Sequence, residues 1–429
     1  RDCFCVYIIR STLVFLTQHV ETVFHNAPES LEPPRPLPPF VNEDQPVKTT
    51  SWTTPLMTLL LVTCNTLPGK AQPHNSSTPI GPSAHKWEKA VTQAINYFKI
   101  NAQEPDGSYS SQTGPAVTAL VVTSILKSSN HSSETPFIQQ SLNYLMRFAR
   151  SDGGLYAKDS IHGNYETALS LLAFKTANDQ NQFGSLVKDA QSYLIDLQWD
   201  ETEDKDSSSS FFGGAGYGRH ERPDLSNTQF LIEALKASGL AKDHPAMQQA
   251  LVFVSRCQNL ESEHNTLPFA TQVEDGGFYY TPAAGGTSQA GKTANGGLRS
   301  YGSMTYAGLK SMIFAGLTRE DPRVQAAYQW ICNHYTIKQN PGMGYAGLYY
   351  YYHTFAKALN TLNIDFVEDD EGLVHDWRKD LANELFIQQR SDGSWINRDN
   401  KRWYEGDPNL VTAYGLLALS YCKPKKVSP

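Results

Sequence analysis

Cysteine is scarce in this chain of 429 residues, and what there is suits neither a zinc site nor a disulfide framework. Cys3, Cys5 and Cys64 fall in the N-terminal segment, while Cys257, Cys332 and Cys422 are scattered through the body with no C-x-x-C spacing among them. Each of the latter three sits in a helical pattern, where a free cysteine behaves as a small buried hydrophobe. Basic charge is also short: 36 Lys and Arg against 43 Asp and Glu give a net charge of −7. With no basic stripe, nucleic acid is not expected as a partner. Neither G-x-G-x-x-G nor G-x-x-x-x-G-K-[ST] occurs, so no nucleotide cofactor, and no cofactor of any other kind, is expected.

Residues 1–46 run from an apolar patch between Cys3 and Leu16 into a Pro-rich stretch, Pro28 to Pro46, which can build neither regular helix nor packed core. They are read as an extension, outside the translated product if synthesis starts at Val47. Residues 47–71 carry the parts of an export signal: Lys48, an apolar core from Leu56 to Cys64, and the small residue Ala71 at a cleavage point. That core is too short to span a bilayer, so no stable membrane span is expected. The expected location is secreted or periplasmic, with cleavage near Ala71; Thr63 before Cys64 fits a lipoprotein box poorly. Residues 72–85, rich in Pro, Ser and Asn, read as a linker, and 423–429 as a tail.

From Trp87 onward one pattern recurs: an amphipathic helix, a Gly-rich turn ending in an aromatic, a variable loop, and a second helix opening near a Thr. The turns are Asp106-Gly107-Ser108-Tyr109, Asp152-Gly153-Gly154-Leu155-Tyr156, Phe212-Gly213-Gly214-Ala215-Gly216-Tyr217, Asp275-Gly276-Gly277-Phe278-Tyr279, Gly342-Met343-Gly344-Tyr345 and Asp392-Gly393-Ser394-Trp395. Glycine supplies positive φ and close approach, Asp accepts backbone N–H groups, and the aromatic covers the junction. Six helix pairs can stack as an open solenoid or close into a ring. The terminal repeats are as apolar as the middle ones, and an open array would need polar caps there, so closure is expected. The fold class is therefore all-α, an (α/α)6 toroid over residues 86–422, with inner helices around a central cavity.

The segment Phe386-Ile387-Gln388-Gln389-Arg390-Ser391-Asp392-Gly393-Ser394-Trp395 resembles the QW repeat of squalene and oxidosqualene cyclases, present in degenerate form in protein prenyltransferase β subunits. Leu197-Gln198-Trp199 and Arg256-Cys257-Gln258 echo its Gln portion. The resemblance covers residues 86–422 and implies the α/α toroid of the terpenoid-cyclase and prenyltransferase superfamily, here as an exported bacterial member. The catalytic signatures do not come with it. The Asp-x-Asp-Asp acid of squalene-hopene cyclases is absent, and Asp365 to Asp370 has the wrong spacing and reads as a solvated loop between repeats. Of the Asp, Cys and His that hold zinc in prenyltransferase β subunits, only the His segment, Tyr350 to Phe355 with His353, has a counterpart. No metal is expected. The G-C-G-E-Q run of complement-like thioester domains is missing too.

Groups that reach the centre of such a ring come from the loops after each turn and the first residues of the inner helices. Tyr165, Glu166, Asn227, Tyr301, Tyr352 and Trp403 are accordingly expected to line a ligand cavity, aromatic walls with a few polar groups. Asp224, His353 and Asp407 are the catalytic candidates. His353 reads first as a hydrogen-bonded wall residue of the cavity and only second as a ligand. Asp224 and Asp407 each precede an inner-helix Thr and read either as N-caps or, if their carboxyls come within about 5–10 Å, as an acid and base for glycoside cleavage. The insertion from Thr281 to Gly297 could close one mouth as a flap or serve as a spacer, and the acidic, Ser-rich Asp200 to Ser210 reads as mobile. The functional expectation is an exported protein without cyclase or zinc-transferase activity that binds an isoprenoid-like lipid or a glycan in the ring. The alternatives are an active terpenoid cyclase-like or transferase enzyme with a divergent acid, and a carbohydrate-active toroid.

Overall fold

Proline and a capping residue start several of the outer helices: Thr135-Pro136, His244-Pro245 and Asp321-Pro322 each place Pro at the first helical position, where its missing N–H costs nothing. The computed structural model describes residues 79–178 and 181–425. The N-terminal extension, the export signal, Cys3, Cys5, Cys64, most of the linker and the last four residues lie outside the described residues.

The pairs are α1 (Ala84–Asn96) with α2 (Ala116–Ser128), α3 (Pro136–Met146) with α4 (Gly163–Thr176), α5 (Gly184–Asp196) with α6 (Leu225–Ala237), and α7 (Pro245–Arg256), followed by the one-turn α8 (Ala270–Val273), with α9 (Gly302–Phe314). Then come α10 (Pro322–Asn333) with α11 (Leu348–Thr361) and α12 (Trp377–Gln388) with α13 (Pro408–Tyr421). The second helix of each pair is the more completely buried. In α2, for example, every residue from Ala116 to Ile125 is buried, as expected of a helix with protein on all sides. α1 buries one stripe, Trp87, Ala90, Val91, Ala94 and Ile95.

The second helices form the inner ring. α2 packs on α4, α4 on α6, α6 on α9, α9 on α11, α11 on α13, and α13 returns to α2. The closure contacts are specific: Ser128 Oγ donates to the Leu416 carbonyl at 3.2 Å and Trp87 Nε1 to the Leu419 carbonyl at 2.8 Å. The (α/α)6 toroid is thus the observed fold.

The turns are the joints between repeats. Gly107, Gly153, Gly213, Gly276 and Gly393 all have positive φ. A Cβ on each would meet a carbonyl of the next outer helix: Gln140, Asp189, Gln249, Ala326 and, across the closure, Gln93. Glutamine fastens several of these joints. The Gln198 side chain donates to the carbonyls of Gly213 and Ala246, Gln258 to Gly276 and Arg323, and Gln389 to Gly393 and Ala90. The recurring Thr has a matching role within each repeat: the hydroxyls of Thr118, Thr167, Thr228, Thr305 and Thr412 accept the turn N–H of Tyr109, Leu155, Ala215, Phe278 and Trp395. α11 lacks this Thr, and there Tyr351 and Tyr352 donate their hydroxyls to the Thr336 and Ile337 carbonyls.

Two expected loops are ordered by contacts. The acidic run includes β1 (Phe366–Glu368), which pairs antiparallel with β2 (Val374–Asp376), while Asp365 binds Arg378 and Lys425. Asp200 and Glu203 form a reciprocal capping box, and Arg256 donates to the Ser207 and Ser209 carbonyls. Cys257, Cys332 and Cys422 are buried and free.

Candidate binding site at the mouth of the ring

The N-termini of the inner helices open on one mouth, and four of them, those of α4, α6, α9 and α11, are gripped by the following repeat. Asn164 and Tyr165 donate their N–H groups to the Tyr217 carbonyl, Leu225 to Tyr280 and Gly302 to Pro341. The α11 terminus is held by a side chain instead: Glu405 Oε1 accepts the N–H groups of Tyr349 and Tyr350 at 2.9 and 2.8 Å, and Oε2 accepts Asn397 Nδ2 at 2.7 Å. Burial raises the Glu405 pKa to about 7 against the pull of these bonds.

Inside this mouth, aromatic rings from four inner helices meet in the space the ring encloses. The Tyr165 hydroxyl, from α4, lies 3.3 Å from the Tyr414 hydroxyl of α13, although α2 separates those helices in the ring. Tyr350 of α11 contacts Tyr414 and reaches Phe230 of α6, and Phe230 meets Tyr165 edge-on. Ser226 Oγ lies 3.2 Å from the Tyr350 hydroxyl. The expected open centre is therefore occupied by rings at this level, because the inner helices contribute large aromatics where an open cavity needs small residues. Tyr165 and Tyr350 are only partly buried and form a floor.

Around that floor stand flat rings and polar groups. Tyr217 is 38% exposed beside Tyr165 and His162. Trp403 is 41% exposed, held by the Arg402 guanidinium over its ring and by the bare Cα of Gly347 beneath it. The insertion from Thr281 to Gly297 reaches over this region and is latched on two sides: Arg222 donates to Thr287 Oγ1 at 3.3 Å, and Arg402 to Gln289 Oε1 at 2.7 Å. Thr281 Oγ1 donates to the Pro223 carbonyl, and Thr281 and Thr287 pair as a bridge. The insertion is thus an ordered rim and not a loose spacer.

Among the sequence-derived candidates, Asp224 is an N-cap. Its Oδ1 accepts the Asn227 N–H at 2.9 Å and its Oδ2 accepts Asn227 Nδ2 at 2.8 Å. Burial lifts its pKa to about 6, with the bonds from Asn227 and Tyr280 opposing. Asp407 caps α13 through the Asn409 and Leu410 N–H groups. α6 and α13 are opposite members of the six-helix ring, so with neighbours about 8–10 Å apart their axes lie roughly 16–20 Å apart. The two carboxylates bind their own helix ends on opposite sides, which is the N-cap reading, and do not form an acid–base pair.

Asn227 belongs to the Asp224 cap, and Tyr301 is buried just before α9 near Tyr350 and Asp224. Glu166 turns away from the axis, its carboxylate accepting the Ala157 N–H at 2.7 Å and Ser160 Oγ at 2.6 Å. Tyr352 also faces the outer layer, bonded to the Ile337 carbonyl and Gln388. His353 does face inward, stacked on Tyr414 at 5.7 Å.

Below the aromatic floor lies a group of charges that sequence reading missed. Lys310 of α9 donates to Glu233 Oε2 at 2.7 Å and to Gln229 Oε1, and Lys357 of α11 donates to Glu233 Oε1. All are buried, as is His353 beside them. Burial pushes the ammonium pKa values and that of His353 downward, and the charge of Lys127 adds to the effect. Glu233 and Lys310 each lie five residues after an inner-helix Thr, Thr228 and Thr305, a shared offset that was the available signal.

Neither a protein-family profile nor a curated protein sequence matches the chain. Several solved structures resemble it in fold. The type II terpene cyclase MstE from Scytonema shares 14% identity at a TM-score of 0.47, covering 79% of this chain and 98% of that one. A possible member of the GH105 family from Salmonella enterica shares 8% identity at a TM-score of 0.48, covering 79% and 94%. A protein from Actinoplanes shares 13% at 0.45, covering 78% and 99%. At these identities and scores the likeness says nothing of this chain's chemistry. Among the described residues no three His, Cys, Asp or Glu side chains converge as metal ligands would, and no helix is long and apolar enough to cross a membrane.

Proposed function

We propose that this protein is an exported carbohydrate-binding toroid without catalytic activity, which seats a glycan on the mouth formed by Tyr165, Tyr217, Tyr350 and Trp403. The observation that carries this reading is the Tyr165 to Tyr414 contact, between the two helices that flank α2, with Tyr217 and Trp403 left exposed above it. A sugar offers flat C–H faces for rings and hydroxyls for polar groups, and this rim has both, the latter from Ser226, Arg222 and Arg402. A long isoprenoid needs a deep apolar tunnel, whereas this axis carries a hydroxyl contact and then buried charges. The commitment of Asp224 and Asp407 to opposite helix caps supports binding without cleavage. The signal-like residues 47–71 support export.

Isothermal titration of the purified protein with a panel of neutral, amino and acidic oligosaccharides tests the reading. Saturable binding with the sugar recovered intact is expected. A polyprenyl or triterpenoid species in the lipid extract, with no oligosaccharide bound, would favour the isoprenoid ligand instead. New reducing ends in the mixture would overturn the non-catalytic part.

A further inference from the structure

When Lys310 and Lys357 are both protonated, the buried charges inside the ring do not balance. Glu233 supplies one negative charge, shared between Lys310 and Lys357. Lys310 is fully buried and Lys357 nearly so, and both ammoniums keep protons with no partner among the described residues. Beside them His353 is 3% exposed, and its Nδ1 has no hydrogen-bond partner. A buried cation without a counter-charge and a buried polar atom without a partner are each unfavourable. The unpartnered nitrogen is on His353, and the unbalanced cation arises beside it, between α9 and α11, whenever both lysines are protonated.

We propose that the ring binds a small monovalent anion, a halide, nitrate or short carboxylate, between Lys310, Lys357 and the Nδ1 edge of His353. The anion supplies the missing negative charge and accepts the uncommitted ammonium protons. His353 contributes a neutral N–H, with its ring orientation fixed by stacking on Tyr414. Gln229, whose Oε1 takes one Lys310 proton, holds that ammonium in position.

The lysines lie toward the C-terminal end of the inner helices, away from the aromatic floor. Lys357 lies four residues, about 6 Å of helix rise, below His353. Farther along, the exposed Lys127 of α2 stands over the Tyr421 ring at 5.9 Å, and Tyr421 in turn faces His353. Lys127 also lines an open cleft between α1 and the end of α2, together with Lys423 and His131. The charge of Lys127 would draw anions toward this end of the ring. The site is independent of whatever the aromatic mouth binds.

Diffraction from crystals of the full chain grown in bromide is the direct test. An anomalous bromide peak between Lys310, Lys357 and His353 is expected, and a site without bromide would overturn the proposal. Melting in sodium chloride against sodium gluconate at matched ionic strength gives a second readout. A saturable rise in Tm with chloride is expected, and Lys357→Met, which leaves a balanced Glu233–Lys310 pair, should abolish that rise without lowering Tm in gluconate. Equal Tm in both salts, or a chloride effect that persists in the variant, would also contradict it.

Discussion

Gln389 donates its side-chain amide to the Ala90 carbonyl at 2.9 Å, joining the sixth repeat to the first across 299 positions. Gln198 and Gln258 make the same bond between consecutive repeats, to Ala246 and Arg323. In a closed ring the last joint is equivalent to the others. Gln389→Leu should therefore destabilise as much as Gln198→Leu or Gln258→Leu, by about 1–3 kcal/mol for the carbonyls left unpaired. Urea unfolding of the three variants measures this. A much smaller effect at Gln389 would indicate an open array.

The turn glycines give a second contrast. A Cβ at Gly213 would lie 1.8 Å from the Gln249 carbonyl, at φ +78°, whereas at Gly239, with φ +96°, an added Cβ would meet nothing within 4 Å. Gly239→Ala meets backbone strain alone, about 1 kcal/mol. Gly213→Ala must also push two repeats apart and should cost at least about 2 kcal/mol more. Similar unfolding midpoints for the two variants would refute that role for Gly213.

The fold could be read in the sequence because the same local physics recurs. Gly107, Gly153, Gly276 and Gly393 each follow an Asp, and each sits between an amphipathic and an apolar helix. The site was less legible. Asp224 and Asp407 look alike whether they cap a helix or catalyse, and only their positions on opposite helices separate the readings. Tyr352 and His353 are adjacent, yet one helical step, about 100°, sends Tyr352 outward and His353 to the axis. Glu233, Lys310 and Lys357 come from three helices, and the only mark they carry in the sequence is the offset that Glu233 and Lys310 share from an inner-helix Thr.

Stability should depend on the protonation of Asp224. Its pKa rises from 3.8 to about 6 on folding, so the native state holds a proton that the unfolded chain releases earlier. This contribution is fully present below the unfolded value and is lost as pH rises through the folded value. Asp224→Asn keeps a cap acceptor and cannot ionise. It should be more stable than the parent near pH 8 by on the order of 1–3 kcal/mol, with the two curves converging near pH 4. Chemical denaturation across that range gives both curves, and a constant gap between them would contradict the assignment.

Glu233 is the only carboxylate bonded to the two buried ammoniums among the described residues. Glu233→Gln leaves both without a charge partner and should cost about 3–5 kcal/mol. Combining Glu233→Leu with Lys310→Met and Lys357→Met removes all three charges and should recover most of that loss. Thermal melting of the single and triple variants decides it; a triple variant no better than Glu233→Gln would show that packing, not charge, dominates there.

Glycan binding at the aromatic mouth is tested most directly by calorimetric titration of the parent protein and Trp403→Ala with the oligosaccharide that binds best. Trp403 is 41% exposed, so its removal should leave Tm nearly unchanged while weakening affinity by roughly 10-fold, the loss of one aromatic platform. Equal affinity in the two proteins, or no saturable binding to any oligosaccharide, would contradict a carbohydrate site at this mouth.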